Sequence, residues 1–229
     1  MSIVDTQEVR VQERVADPFD ELFRERSVTR ELGAGEMLYL AGTPSERVHL
    51  LRSGVILHVS RDAGGTETIL GLATAGELID PTAAIDSSFH QFDALAARRC
   101  LVSSIDSATF RAALSTDIAL GLALIHALAR RVRWIAETAH ERASQQVSGR
   151  VAGRLLDLAR LLGRPTDDAI ELEMPIDQTT FASLAGTSRE SACKALRRLK
   201  ADGVLDYKGR RLRILRPDAL SYMRCASRR

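Results

Sequence analysis

The chain has 229 residues, enough for two modest domains that each bury a core, and 45% of them are hydrophobic with no apolar run near the length of a membrane span. Its formal net charge of +2 says little, but the distribution does: residues 146–229 hold 17 Lys and Arg against 10 Asp and Glu, while residues 1–114 hold 11 against 17. The last third therefore suits a polyanionic partner and the acidic first half does not.

Residues 1–16 alternate charges with Val9, Val11 and Val15 and read as a loose arm. They hold acidic residues and no signal-type apolar segment, so the expected location is the cytoplasm. Residues 18–26 read as a short helix. Over 27–105 the texture changes to short aliphatic and β-branched runs at 36–40, 48–51, 55–60, 67–72 and 101–105, punctuated by glycines. Strands at this spacing predict an antiparallel barrel or roll, with Asp62 to Gly65 as a hairpin tip.

A short helix is expected at 107–114 and a long one at 116–143. On the long helix Ile118, Leu122, Ile125, Ala129, Val132, Ala136, Ala139 and Ala143 recur at spacings of 4 and 3, a sustained heptad seam. Such a helix packs on its own domain or on a second copy of the chain. A second stripe, Leu120, Leu124, Leu128 and Ile135, serves the first purpose, which leaves the seam for a dimer. A further helix is expected at 148–162, a break at Gly163-Arg164-Pro165, and a strand at 170–174.

Residues 176–199, IDQTTFASLAGTSRESACKALRRL, read as a helix-turn-helix. Phe181, Leu184 and Ala185 give the first helix a buried face, Gly186 suits a tight turn, and Thr187 and Ser188 suit a cap. The second helix has an apolar line at Ala192, Ala195, Leu196 and Leu199, and shows Arg189, Glu190, Lys194, Arg197 and Arg198 on the other face. A helix in the major groove touches bases from its first turns; Arg189 has the fork for guanine O6 and N7, and Glu190 accepts from cytosine N4. Residues 203–215, GVLDYKGRRLRIL, follow as two strands around Lys208-Gly209, which makes a winged helix. Lys208, Arg210, Arg211 and Arg213 would then meet phosphates. The plainer alternative, a helical hairpin with a solvated basic face, leaves that basic hairpin unexplained.

Other function classes find no support. No Ser-His-Asp setting, phosphate-cradling loop or metal-spaced His pair marks an enzyme or a metal site. The three cysteines, Cys100, Cys193 and Cys225, are widely spaced and fit neither a disulfide framework nor zinc. A non-specific architectural DNA binder is the remaining alternative. Glu190 opposes it, because a carboxylate at the groove lowers non-specific affinity. Cys193 on the second helix is either a small packing residue or a redox-responsive thiol beside Lys194.

In this order SGVILHV at 53–59, GEL at 76–78, VSGRVAGRLLDLA at 147–159 and GTSRESACKALRRL at 186–199 make the chain resemble the cyclic-AMP receptor protein / fumarate-nitrate regulator (CRP/FNR) family of bacterial transcription regulators. The resemblance covers about residues 27–216 and implies an α+β architecture. Its parts are an antiparallel β-roll of the cyclic-nucleotide-binding, jelly-roll kind within 1–114, a dimerisation helix at 115–145 and a winged helix-turn-helix at 146–229. It implies a homodimer acting on double-stranded DNA with RNA polymerase as a partner, and a TGTGA-type half-site read by Arg189, Glu190 and Lys194.

The ligand site departs from the family pattern. Gly76 and Glu77 match, but the places of the phosphate-holding Arg and Ser hold Phe92 and Asp93, and the places of the adenine-holding polar pair hold Ile135 and Ala136. Cyclic AMP is therefore not expected to bind, with Asp93 repelling the phosphate. The iron–sulfur branch needs cysteines near the N-terminus, and the first here is Cys100. His49, His58, His90, His126 and His140 read as ordinary residues, with haem ligation, or a redox response, as the alternative.

Overall fold

The computed structural model describes residues 18–226, so the expected arm at 1–16 lies outside the described residues. By packing the chain divides at Ala139/His140 into two units, considered separately below.

The first unit begins with α1 (Pro18–Arg26) and continues through β1 (Val28–Leu32), β2 (Met37–Tyr39), β3 (Arg47–Ser53), β4 (Val55–Arg61), β5 (Glu67–Thr74), β6 (Leu78–Ile79), α2 (Thr82–Ile85), β7 (Asp93–Ala96), β8 (Cys100–Asp106) and α3 (Ser107–Thr116) into α4 (Ile118–Ser144). The strands form two antiparallel four-stranded sheets, ordered β1-β8-β3-β6 and β2-β7-β4-β5. Leu32, Leu51, Ile56, Ala73, Ile79, Ala94, Ala96 and Val102 make one core between them. Phe19, Phe23, Val48, Leu50, Ile105 and Phe110 make a second, which the start of α4 closes with Leu120 and Leu124. The sequence did not reveal β1, β6, β7 or α2. Segment 92–97, FDALAA, lacks the β-branched residues that mark a strand, yet β7 lies between β2 and β4 because its neighbours pair with it on both edges.

The second unit takes the end of α4 and then α5 (Val147–Leu162), β9 (Arg164–Pro165), β10 (Ile170–Glu173), α6 (Gln178–Leu184), α7 (Arg189–Ala201), β11 (Leu205–Lys208), β12 (Arg211–Ile214) and α8 (Pro217–Ala226). Its sheet is antiparallel in the order β11-β12-β10-β9. The expected break at Gly163-Arg164-Pro165 ends α5 and starts the two-residue edge strand β9. Val151, Leu155 and Leu158 of α5 are fully buried, with Phe181, Leu199, Leu205 and Ile214 in the same interior. Beside this core lies an ionic network. Glu141 takes Arg154 on one carboxylate oxygen and Arg224 on the other, at 2.6 Å for the latter, and Asp157 meets both guanidinium groups at 2.9 and 3.1 Å. It ties the end of α4 to α5 and α8, and the Glu141 and Arg154 side chains are each 2% exposed.

Candidate functional site

The helix-turn-helix forms where the sequence places it. Asp177 caps α6 by accepting from the Thr180 amide, and that amide holds its carboxyl below the usual range. Gly186 makes the turn at φ +61°, and a Cβ there would sit 3.0 Å from Arg142 Nε. Arg150 on α5 fixes this turn from behind: Nε donates to the Ala185 carbonyl and Nη2 to that of Gly186, both at 3.1 Å. Ser188 then caps α7 by accepting from the Ser191 amide at 3.2 Å, and Thr187 precedes it.

Ala192, Leu196 and Leu199 bury one face of α7, which sets the phase of the other. Arg189, Glu190 and Lys194 are exposed there, and none makes a side-chain hydrogen bond or ion pair among the described residues. Cys193 lies on the flank, where its thiol donates to Gln178 Oε1 at 3.2 Å and links α6 to α7.

The hairpin tip is Gly209 at φ +61°, with Lys208, Arg210 and Arg211 exposed around it. Lys200 of α7 anchors the hairpin through Asp206 and the Tyr207 carbonyl. Arg213 departs from expectation. It pairs with Glu171 and Asp168, each at 3.0 Å, because β12 lies beside β10, so it is a cross-strand ion pair and not a free phosphate ligand.

In the first unit the expected pocket residues go to different places. Glu77 accepts from the amide and hydroxyl of Thr74 at 2.7 and 3.0 Å, closing the turn that contains Gly76. Phe92 stacks on His58 with ring centroids 4.3 Å apart. Asp93 corrects the expectation of a repelling carboxylate. It is buried, accepts from the Ala41 amide at 2.7 Å and pairs with Arg61 of the β4–β5 hairpin, so its charge is already compensated. Ile135 is 51% exposed and does not join the packed stripe of α4. The inward line runs Leu120, Leu124, Leu128, Arg131, Trp134, as a 3.6-residue period requires. Its opposite face leaves Ile118, Leu122, Ile125 and Val132 exposed at 52–82%, with Ala129 half-buried and Ala136 exposed.

Three histidines are interior residues with assigned neighbours. His49 Nδ1 lies 2.8 Å from Ser104 Oγ, His90 lies 3.4 Å from Asp80, and His58 accepts from Arg131 at 2.9 Å. Burial holds His49 down to about 4; burial and then the Arg131 charge hold His58 to about 3. His126 and His140 are exposed. Arg131, the cation that α4 sends into the roll, was invisible in the apolar pattern. Its only sequence signal is its place one helical turn beyond Leu128.

Among the described residues no single helix is long and apolar enough to cross a membrane. A family model described as the cyclic nucleotide-binding domain matches residues 29–117, and one described as the Crp-like helix-turn-helix domain matches residues 149–223. The chain is 26% identical over 162 residues to the CRP-like cAMP-activated global transcriptional regulator of Mycobacterium tuberculosis, covering 71% of this chain and 72% of that one. It is 25% identical over 186 residues to the cAMP-activated global transcriptional regulator Vfr of Pseudomonas aeruginosa, covering 79% and 86%. In fold it resembles FixK2 from Bradyrhizobium japonicum, with a TM-score of 0.77 at 18% identity over 86% of this chain and 96% of that one. The global regulator CLP of Xanthomonas campestris gives 0.69 at 23% identity over 85% and 96%. With a nucleotide-binding type of roll before a Crp-like reading head, the chain belongs to the CRP/FNR family and is a DNA-binding transcription regulator, not an enzyme.

Proposed function

We propose that the chain acts in the cytoplasm as a homodimer that reads a TGTGA-type palindrome and works with RNA polymerase, and that cyclic AMP is not its signal. The observation that carries the base-reading claim is the state of α7. Arg189, Glu190 and Lys194 stand exposed on its first turns and unpaired among the described residues, behind a capped N-terminus and a clamped turn. Arg189 takes guanine O6 and N7, Glu190 accepts from cytosine N4, and Lys194 serves the next base. Thr187 and Ser188 lie at phosphate distance from a helix so placed, and Lys208 and Arg210 of the wing reach the flanking backbone.

Pairing is supported by the exposed stripe of α4, since Ile118, Leu122, Ile125 and Val132 on one helical face are costly to leave in water. Ala129 and Ala136 complete the seam. On this reading residues 115–145 are the dimer helix between a sensor part, 1–114, and a reading part, 146–229.

The two curated relatives above are named for activation by cyclic AMP; on our reading this chain departs from the family pattern at the ligand. No arginine and serine stand where the cyclic phosphate would lie, Phe92 faces His58, and Ile135 offers adenine no hydrogen bond.

The test is binding-site selection from random DNA, followed by Arg189→Ala. Wild type should enrich a TGTGA-type palindrome. The variant should lose roughly 1–3 kcal/mol of specificity per half-site with its fold intact. Undiminished preference for the palindrome over scrambled DNA would overturn the assignment. Ile125→Glu with Val132→Glu should give monomers in sedimentation; a wild-type monomer at micromolar concentration sinks the dimer.

A further inference from the structure

A cavity of about 220 Å³ lies inside the second unit, between the wing and the helix-turn-helix. The hairpin is held over it from two sides. The Met174 amide donates to the Arg210 carbonyl at 2.8 Å, and Lys200 of α7 takes Asp206 and the Tyr207 carbonyl. The floor comes from α5, α6, α7 and β12 through Leu155, Phe181, Leu196 and Leu212, with Ile176 beside them, and all of these are buried. Met174 and Tyr207 line it and are half-buried. Asp177, Gln178, Arg210 and Arg211 line it and are exposed, so they mark the mouth.

Two features fix the chemistry of an occupant. Folded interiors are close-packed, and a void of this size is uncommon in a unit this small. No buried side-chain nitrogen or oxygen without a partner borders it among the described residues, so its interior asks for no hydrogen bond. Leu155, Ile176, Leu196 and Leu212 are aliphatic and Met174 adds a flexible thioether, a lining that moulds to a bending chain. Six-carbon benzene fits a cavity of about 150 Å³, so about 220 Å³ takes roughly eight or nine carbons. At the mouth the side chains of Arg210 and Arg211 make no hydrogen bond or ion pair among the described residues. The Asp177 carboxylate is in use as the cap of α6, on the Thr180 amide at 2.8 Å. Two cations thus face one engaged acid, and the mouth suits an anion.

We propose that this cavity takes a medium-chain acyl carboxylate of about eight carbons, and that the bound chain withdraws the wing from DNA. The tail lies on the aliphatic floor and the carboxylate meets Arg210 and Arg211. Arg210 is also the wing residue proposed to reach the flanking phosphates, so carboxylate and DNA compete for one cation. The effect on DNA rests on that reading of the wing; occupancy of the cavity does not.

The chain has four methionines, and Met174 is the one among the described lining residues, so its 13C-labelled methyl reports on the site. The full-length protein is titrated with sodium butyrate, octanoate and dodecanoate against sodium chloride at equal ionic strength, with 1-octanol as a neutral arm. Met174→Leu identifies the signal. A saturable shift is expected with octanoate and not with chloride. Affinity should rise about fourfold per methylene from butyrate to octanoate and level off before dodecanoate. Arg210→Gln with Arg211→Gln, both exposed, should weaken octanoate about tenfold, with octanol binding and circular dichroism unchanged. Saturating octanoate should weaken binding to a TGTGA-type palindrome at least about fivefold. No saturable Met174 shift with octanoate overturns the proposal. A Met174 signal that moves on dilution and not with octanoate overturns it too, by giving the cavity to a second copy of the chain. Octanoate affinity unchanged in the double variant overturns the carboxylate, and unchanged DNA affinity overturns the withdrawal of the wing. Failure to bind the palindrome in chloride overturns instead the DNA-reading proposal, and the Met174 titration still decides the cavity.

Discussion

The recognition helix and the roll interior use polar residues in opposite ways. On α7 the charges point outward, and Arg189, Glu190 and Lys194 have no partner among the described residues. In the roll, and in the ionic network of the second unit, polar groups point inward and most are held by groups distant in sequence. The difference sets what each can do. An outward face can be exchanged with little effect on folding and tunes what the protein reads. An inward cluster couples stability to chemistry, because each group left alone is buried with its desolvation uncompensated.

The sharpest test of that contrast sets Glu141 against Arg197. Glu141→Ala takes from Arg154 and Arg224 one of the two carboxylates they share in a buried setting, with Asp157 remaining, and should cost about 2–3 kcal/mol in urea unfolding. Arg197→Ala, on the exposed face of α7, should stay within about 0.5 kcal/mol. Similar losses in the two variants would remove the distinction.

The same contrast governs what the sequence made legible. The helix-turn-helix was readable because its information is one-dimensional: a period of 3.6, a cap at Ser188 and a positive-φ glycine at 186 lie within a few residues of each other. The heptad seam of α4 was readable for the same reason. The roll interior was not, because Tyr39, His58, Asp80, His90 and Arg131 meet only after the strands have paired and the helix has docked. Apolar periodicity also put Ile135 on the inward stripe, where the structure has Arg131 and Trp134. A cation in an inward position is invisible to a hydrophobic pattern. Asp93 failed differently: its type and place were read, but not the Arg61 that neutralises it from a neighbouring hairpin. Helix α8, whose Arg224 completes the ionic network, is only ten residues long, too short for a helical period to stand out.

Acid should probe the inward clusters selectively. His49 and His58 are held to about 4 and about 3 in the folded chain, against 6.5 when exposed. Below pH 6.5 the unfolded chain takes up protons that the folded chain refuses. Stability is therefore whole above 6.5 and falls as pH drops toward the folded values. Between pH 6.5 and about 5 each histidine should cost about 2 kcal/mol. Urea midpoints across this range would measure it, and His58→Gln should flatten the slope. A pH-independent midpoint would mean that these rings are not as desolvated as their burial indicates.

The turn before α7 offers a smaller effect. Gly186→Ala puts a Cβ on a left-handed residue and 3.0 Å from Arg142 Nε, at a cost of about 1–2 kcal/mol. Because Arg150 holds this turn through two carbonyls, DNA affinity should fall along with stability. A stable variant with unchanged affinity would show that the turn is not what orients the reading face.

The smallest effect concerns Ser188, where the outward face and the fold meet. Its hydroxyl accepts from the Ser191 amide and caps the turn that carries Arg189 and Glu190. Ser188→Ala should cost about 1 kcal/mol and speed amide exchange at Ser191. Ser188→Asp restores the acceptor, so the stability should return. It also places a carboxylate beside the proposed phosphate path, so DNA affinity should fall below that of the alanine variant, most at low salt. If both variants lose stability and affinity in proportion, Ser188 acts only as a cap. If aspartate recovers the fold but not the binding, the first residue of the reading surface is also a groove residue, and the line between inward and outward roles runs through this one side chain.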